Sequence, residues 1–166
     1  MLSDQIATLP MFRCLSSDQL AALEPLIEII PLSTQQVIFN QDQQADYIYI
    51  LLSGEVIIQY KPYDGPVMVV ARIQPGGIFG WSAALGRKTY TSAAVVTACG
   101  EACRISGEDL QHYCDEYREA GSVLLDCLAS VIAERLRSTH EQVRSILRHG
   151  MELDGEMVRR IYHDGK

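Results

Sequence analysis

The chain has 166 residues, 48% of them hydrophobic, with 14 Lys and Arg against 21 Asp and Glu for a net charge of −7. This composition excludes a wholly disordered chain and lacks the basic footprint of a general nucleic-acid binder. Mean hydropathy is +0.03, and no run approaches the ~18 apolar residues of a membrane helix. The opening Met1-Leu2-Ser3-Asp4-Gln5 has no basic stretch, so the sequence predicts no secretory signal and a cytoplasmic setting. Charge is uneven. Residues 135–166 hold seven bases and five acids, net +2, against −9 for the rest. That stretch reads as a solvated helix face or as a surface for an acidic partner. The five cysteines, Cys14, Cys99, Cys103, Cys114 and Cys127, are odd in number and form no C-x-x-C. They read as buried thiols, not as a disulfide framework or a zinc site.

In chain order, residues 2–12 predict a short helix ending near Pro10. Residues 16–30 predict a second, capped by Ser16 or Ser17, with Leu20, Leu23, Leu26, Ile27 and Ile30 at helical spacing and Pro31 closing it. From 35 to 105 the period becomes two. Val37-Ile38-Phe39 is a short strand. Tyr47–Leu52 and Glu55–Tyr60 are strands on either side of a tight bend at Ser53-Gly54. Pro62-Tyr63-Asp64-Gly65-Pro66 is a turn, and Val67–Ile73 is the return strand. Pro75-Gly76-Gly77 breaks the chain again before strands at 92–96 and 101–105. Many short strands imply an antiparallel sandwich or barrel, in a protein that is mainly β with flanking α.

Helical spacing returns after 107. Ser106 caps a short helix with Asp109 at its third position. A longer helix spans about 120–148, ended by Gly150. The organisation is N-terminal helices over 1–34, a β-roll over 35–106 and C-terminal helices over 107–166, all in one domain. Part of the apolar stripe of the long helix lies beyond reach of the roll. A parallel homodimer would bury Leu128, Val131, Ile132, Leu136, Val143, Ile146 and Leu147 in a two-helix seam; the alternatives are a different partner protein on the same stripe or a monomer with its tail folded back.

Val37-Ile38-Phe39 followed by Ala45-Asp46-Tyr47-Ile48-Tyr49-Ile50-Leu51-Leu52-Ser53-Gly54-Glu55-Val56 resembles the opening half of a cyclic nucleotide-binding domain. Pro75-Gly76-Gly77-Ile78-Phe79-Gly80 resembles the same family, as does the upstream Leu9-Pro10-Met11-Phe12 with Leu15-Ser16. The resemblance covers about residues 6–148. The segment Val131-Ile132-Ala133-Glu134-Arg135-Leu136 resembles the dimerisation helix of catabolite-activator type (Crp/Fnr-like) regulators. The resemblance implies an eight-stranded antiparallel jelly roll, a double-stranded β-helix, flanked by helices. It also implies a pocket in which backbone N–H groups at the start of a short helix after Phe79-Gly80 cradle a cyclic phosphate. The implied ligand-binding residues are Ile78, Phe79, Gly80, Trp81, Ser82, Ala83, Tyr90, Thr91, Ser92 and Ala93.

Three positions depart from the family pattern. Trp81 stands where the family places a glutamate for the ribose hydroxyl. Thr91 stands where it places an arginine for the phosphate. Asp42 stands where it usually turns on glycine. A charged hydrogen bond is worth ~1.5–3 kcal/mol, and a buried charge without its partner costs roughly 3–5 kcal/mol. At ~1.4 kcal/mol per decade, the two losses weaken cyclic nucleotide binding by about three orders of magnitude. Arg87 or Lys88 would be the substitute cation. Three readings follow: Trp81 plugs the pocket, Trp81 stacks on a different aromatic ligand, or a cyclic nucleotide binds weakly.

The jelly roll also carries metal enzymes, but the four histidines, His112, His140, His149 and His163, all lie outside residues 35–105. No nucleophile–base arrangement stands out, so no enzyme and no metal are expected. Sixteen residues after Gly150 are too few for a helix-turn-helix reader, so direct DNA binding is not expected either. The expected function is a non-catalytic ligand-sensing module, a homodimer signalling through its C-terminal helix to a separate output protein. The alternative is a scaffold domain with a closed, ligand-free pocket.

Overall fold

The computed structural model describes the backbone of residues 2–163, and side chains for 4–138 and for His140, Glu141, Arg144, Ser145 and Arg148. The chain forms two compact units, Met1–Ala129 and Ser130–Lys166.

The first unit opens with helices α1 (Leu2–Ala7) and α2 (Ser17–Leu23). Ser16 caps α2 in a full capping box. Its hydroxyl accepts from the Gln19 amide at 3.3 Å, and the Gln19 side chain accepts from the Ser16 amide at 2.9 Å. The helix expected to run to residue 30 stops at Leu23. Pro25 cannot donate to an α-helical ladder, and Glu24–Leu26 is a 3-10 turn. Strand β1 (Ile27–Leu32) follows directly. Pro31 therefore lies inside a strand, which is tolerated because β1 is a sheet edge and Pro31 is exposed.

The remaining strands are β2 (Val37–Phe39), β3 (Tyr47–Tyr60), β4 (Met68–Ile73), β5 (Ile78–Phe79) and β6 (Ala93–Ser106). They form one antiparallel sheet in the order β1-β6-β3-β4, with β2 on β6 and β5 on β3. The fold is thus mainly antiparallel β with flanking helices, with six strands among the described residues where eight were expected. The sequence split at Ser53-Gly54 is a bend within the single strand β3, and β6 passes the same corner unbroken at Cys99-Gly100. Their register slips there between Leu51 and Val56. A Cβ on Gly54 would strike the carbonyl oxygens of Ala98 and Cys99, and one on Gly100 would strike the Ser53 carbonyl. Two glycines let two backbones cross at the corner without a break.

One face of the bent sheet encloses Leu32, Phe39, Tyr49, Leu51, Val56, Ile58, Ile73, Phe79, Tyr90 and Val96. The alternate positions Ile48, Ile50, Cys103 and Ile105 are also buried, as are Ile6, Phe12 and Leu23 from the N-terminal segment. Burial pushes the Cys103 thiol up to about 11, so it stays protonated near neutral pH. On the outer surface, Glu55 gathers three donors: Thr97 Oγ1 at 2.7 Å, Gln74 Nε2 at 3.0 Å and Arg72 at 3.1 Å. Those bonds, Thr97 first, hold its carboxyl below the ordinary value of 4.5. A depressed folded value adds stability above the unfolded value, and that stability is lost as pH falls through the folded one. The thermal midpoint of wild type should therefore exceed that of Glu55→Gln at pH 7, and the gap should close as the pH drops below 4.5.

Helix α3 (Gly107–Glu116) starts where expected, with the Asp109 amide reaching Ser106 Oγ at 3.5 Å. The Tyr113 hydroxyl donates to the Gln19 carbonyl at 2.8 Å and ties α3 to α2. Helix α4 (Arg118–His163) does not end at Gly150. A glycine costs only ~1 kcal/mol in a helix interior, too little to stop one. In the second unit Arg137 pairs with Glu134 at 3.0 Å, one turn away.

Candidate functional site

The segment after β5 is the candidate pocket loop. Gly80 turns it with φ of 70°, and residues 81–86 continue as linked turns. The Ala83 amide donates to Gly80 O at 3.3 Å, Leu85 to Trp81 O at 3.1 Å and Arg87 to Ser82 O at 3.0 Å. No α-helix forms here. The expected short helix is replaced by linked turns that engage the amides of Ala83, Leu85 and Arg87.

The close approach that Gly80 permits is to the core. A Cβ there would lie 3.0 Å from the Tyr49 ring and 3.2 Å from Phe39. Those rings belong to an aromatic cluster inside the roll. Tyr90 stacks on Phe39 with centroids 3.7 Å apart, and Tyr49 stacks on Phe79 at 5.1 Å. The Tyr90 hydroxyl donates to Tyr47 O at 2.6 Å and accepts from Tyr47 N at 3.1 Å. Burial raises its ionisation above the ordinary phenol value, so it stays a neutral donor.

The expected ligand residues therefore separate. Ile78, Phe79, Ser82, Ala83 and Tyr90 are buried. Gly80, Trp81, Ser92 and Ala93 are half-buried, and Arg87, Lys88 and Thr91 are exposed. Tyr90 was expected at a ligand and is a core residue. Its backbone also anchors the loop ahead of β3. Asp42 N donates to Tyr90 O and Tyr90 N to Gln43 O, each at 2.9 Å, and Ala45 N donates to Lys88 O at 2.9 Å. Asp42 has φ of 66°, the left-handed conformation a glycine would supply and an aspartate tolerates.

Arg87 and Lys88 line an open cavity of about 830 Å³ with Asp42, Gln44, Asp46 and Glu108. The two cations share it with three carboxylates, and neither Trp81 nor Thr91 lines it. A smaller apolar groove of about 260 Å³ runs between Leu85 on the loop and Leu124, Leu125 and Leu128 on α4, with Met11 beside them. Leu128, expected in a dimer seam, is fully buried here. Val131 and Ile132 are half-buried and Leu136 is exposed, while the side chains of Val143, Ile146 and Leu147 lie outside the described residues.

Glu28 and Arg104 were not singled out from the sequence. They sit opposite each other on β1 and β6 and pair at 2.8 Å, and the guanidinium lies 4.2 Å from the Tyr47 ring centroid. The sequence held no signal for them, since the register of β1 on β6 is what sets Glu28 across from Arg104. This guanidinium and carboxylate engage each other. Among the described residues no group of three or more His, Cys, Asp or Glu could hold a metal ion, and no helix is long and apolar enough to cross a membrane.

Residues 29–117 match the family model described as the cyclic nucleotide-binding domain. Over 96 residues the chain is 32% identical to Rap guanine nucleotide exchange factor 1 of Caenorhabditis elegans, a match covering 57% of this chain and 9% of that protein. A Geobacter metallireducens GS-15 structure, provisionally assigned as a cyclic nucleotide-binding protein, superposes with a TM-score of 0.73 at 27% identity, over 82% of this chain and 98% of that one. The regulatory subunit of a cAMP-independent protein kinase A from Trypanosoma cruzi, bound to guanosine, has a TM-score of 0.66 at 16% identity, over 89% of this chain and 50% of that one.

Proposed function

The chain belongs to the cyclic nucleotide-binding domain family, and from that premise we propose that it is a non-catalytic regulatory module whose loop 80–93 senses a ligand without a phosphate. The observation that carries this reading is the character of the loop. It presents a half-buried indole at Trp81 and hydroxyls at Thr91 and Ser92, and its two cations share a cavity with carboxylates. An indole stacks on any flat aromatic ligand, and hydroxyls bond uncharged polar groups. A nucleoside has both features, and the guanosine-bound kinase subunit of like fold supports that class.

The signal would leave through the groove where Leu85 meets Leu124, Leu125 and Leu128. A ligand that prefers one arrangement of the loop shifts these leucines, and with them the start of α4. Helix α4 then alters a homodimer seam and the surface offered to a separate output protein. A second reading, a scaffold with a closed roll, is favoured by one observation: the interior is filled by Phe39, Tyr49, Phe79 and Tyr90.

Trp81 is the only tryptophan, so its fluorescence separates the two readings. Titration with guanosine and adenosine should give a saturable change below about 100 µM, an affinity near 5–6 kcal/mol, while cyclic AMP and cyclic GMP bind more weakly. No change with any of the four, and no thermal shift, would leave the scaffold.

A further inference from the structure

We propose that the cavity between loops 42–47 and 83–89 and the start of α3 is a second ligand site. Its ligand is a small zwitterion with one extra positive charge, a dibasic amino acid that is free or ends a short peptide. The volume of about 830 Å³ falls in the range of small-molecule sites. Five charged side chains line it: Arg87 and Lys88 from one loop, Asp42 and Asp46 from the other, and Glu108 from the first turn of α3. Among the described residues no ion pair joins any of the five to another, and no three acidic groups gather closely enough to hold a metal ion. Opposite charges that share a cavity without pairing are left to a ligand that carries both signs. Arg87 and Lys88 take its carboxylate, the guanidinium as a two-bond fork, and the carboxylates take its ammonium and guanidinium groups. Three carboxylates against two cations leave one negative charge in excess. A ligand with one extra cation balances that excess, and a net anion such as a phosphate is repelled by it.

The walls are built without a ligand. Ala45 N donates to Lys88 O and Gly107 N to Asp46 O, each at 2.9 Å, and Gln44 and Thr89 form an antiparallel bridge between the two loops. A Cβ on Gly107 would strike the Ala83 carbonyl oxygen, so a glycine lets α3 start against loop 83–89. Two of the carboxylates are positioned as well. Asp42 is fixed at φ of 66° with its amide donating to Tyr90 O at 2.9 Å, and Asp46 Oδ1 accepts from Gln44 Nε2 at 2.8 Å. A site held by its own bonds orders little on binding, which favours affinity. The five charged side chains are exposed, so a ligand reaches them from solvent. Neither Trp81 nor Thr91 lines the cavity, so the site stands apart from the nucleoside reading.

The test is calorimetric titration of the full chain with arginine and lysine, beside agmatine, which lacks the carboxylate, and norleucine, which lacks the side-chain cation. Arginine and lysine should bind with dissociation constants below about 1 mM, and agmatine and norleucine roughly tenfold more weakly or worse. Arg87→Gln with Lys88→Gln should weaken arginine binding by about tenfold or more and abolish its advantage over agmatine. Asp42→Asn with Glu108→Gln should weaken it as much and abolish its advantage over norleucine. Asparagine tolerates the left-handed backbone as aspartate does, so thermal midpoints should hold. The wild-type ligand series decides the matter even if a variant misfolds. Glycyl-arginine separates the two sources: tighter binding than arginine names a peptide end, weaker binding names the free amino acid, and either supports the site. Neither heat nor a thermal shift with arginine or lysine up to about 10 mM, a concentration that would fill a site of that affinity, would overturn the proposal. So would agmatine or norleucine binding as tightly as arginine, or arginine binding that both double variants leave unchanged. Arginine binding without guanosine binding keeps this site and removes the nucleoside reading, and the reverse result does the opposite.

Discussion

Cyclic AMP should bind a Trp81→Glu, Thr91→Arg double variant at least a hundredfold more tightly than wild type. The family resemblance implies a carboxylate and a guanidinium at these two positions, where this chain carries an indole and a hydroxyl. Restoring one charged hydrogen bond contributes about 1.5–3 kcal/mol, and pairing the phosphate removes a penalty of roughly 3–5 kcal/mol. Strain at a half-buried position offsets part of the gain, and about 3 kcal/mol remaining is still two decades of affinity. The variant has no tryptophan, so calorimetry makes the measurement. Each single variant should gain less than the pair, because neither completes the set of partners. If the double variant binds no better than wild type, the aromatic filling of the roll excludes the nucleotide, and the missing charges are not the cause.

The second large effect belongs to Tyr90. Its ring stacks on Phe39 and its hydroxyl holds both backbone groups of Tyr47. Tyr90→Ala leaves a cavity where an aromatic ring was, which costs about 3–5 kcal/mol. Tyr90→Phe keeps the ring but strips the Tyr47 amide and carbonyl of their partner, at about 1–3 kcal/mol. Urea denaturation should show both losses as a lower midpoint at similar slope. Equal losses for the two variants would mean that the stacking contributes nothing. A loss confined to ligand binding, with stability intact, would return Tyr90 to the pocket.

The β-roll was legible because its strands carry period-two patterns and its turns carry Gly and Pro. The misreadings have local causes. Leu20, Leu23, Leu26, Ile27 and Ile30 fall at helical spacing, but Pro25 interrupts the ladder and Ile27 onward pairs with β6. Ser53-Gly54 has the composition of a turn. Only the partner strand, with Gly100 at the matching place, reveals a crossing of two continuous strands. Gly150 looked like a helix stop, yet its cost in an interior is small. The site was legible as a loop and not as a set of contacts. Phe79, Ser82 and Tyr90 are close to the family motif in sequence, but a residue number does not tell inward from outward once the strand gives way to turns. Glu28 and Arg104 are 76 positions apart, and only strand register brings them together.

The long sixth strand carries a consequence for biosynthesis. β1, β2 and β3 all bond to β6, which is the last of the strands to leave the ribosome. Until residue 106 emerges, β1 and β2 have no ladder to join, and β3 has only β4 and β5 as partners. Ring closure over tens of residues must precede the reward of pairing, which places this architecture among the slower folders. A nascent chain paused before Ala93 would thus hold β1 and β2 unpaired and the β6-side edge of β3 open, and that interval is when a holding chaperone has most to do.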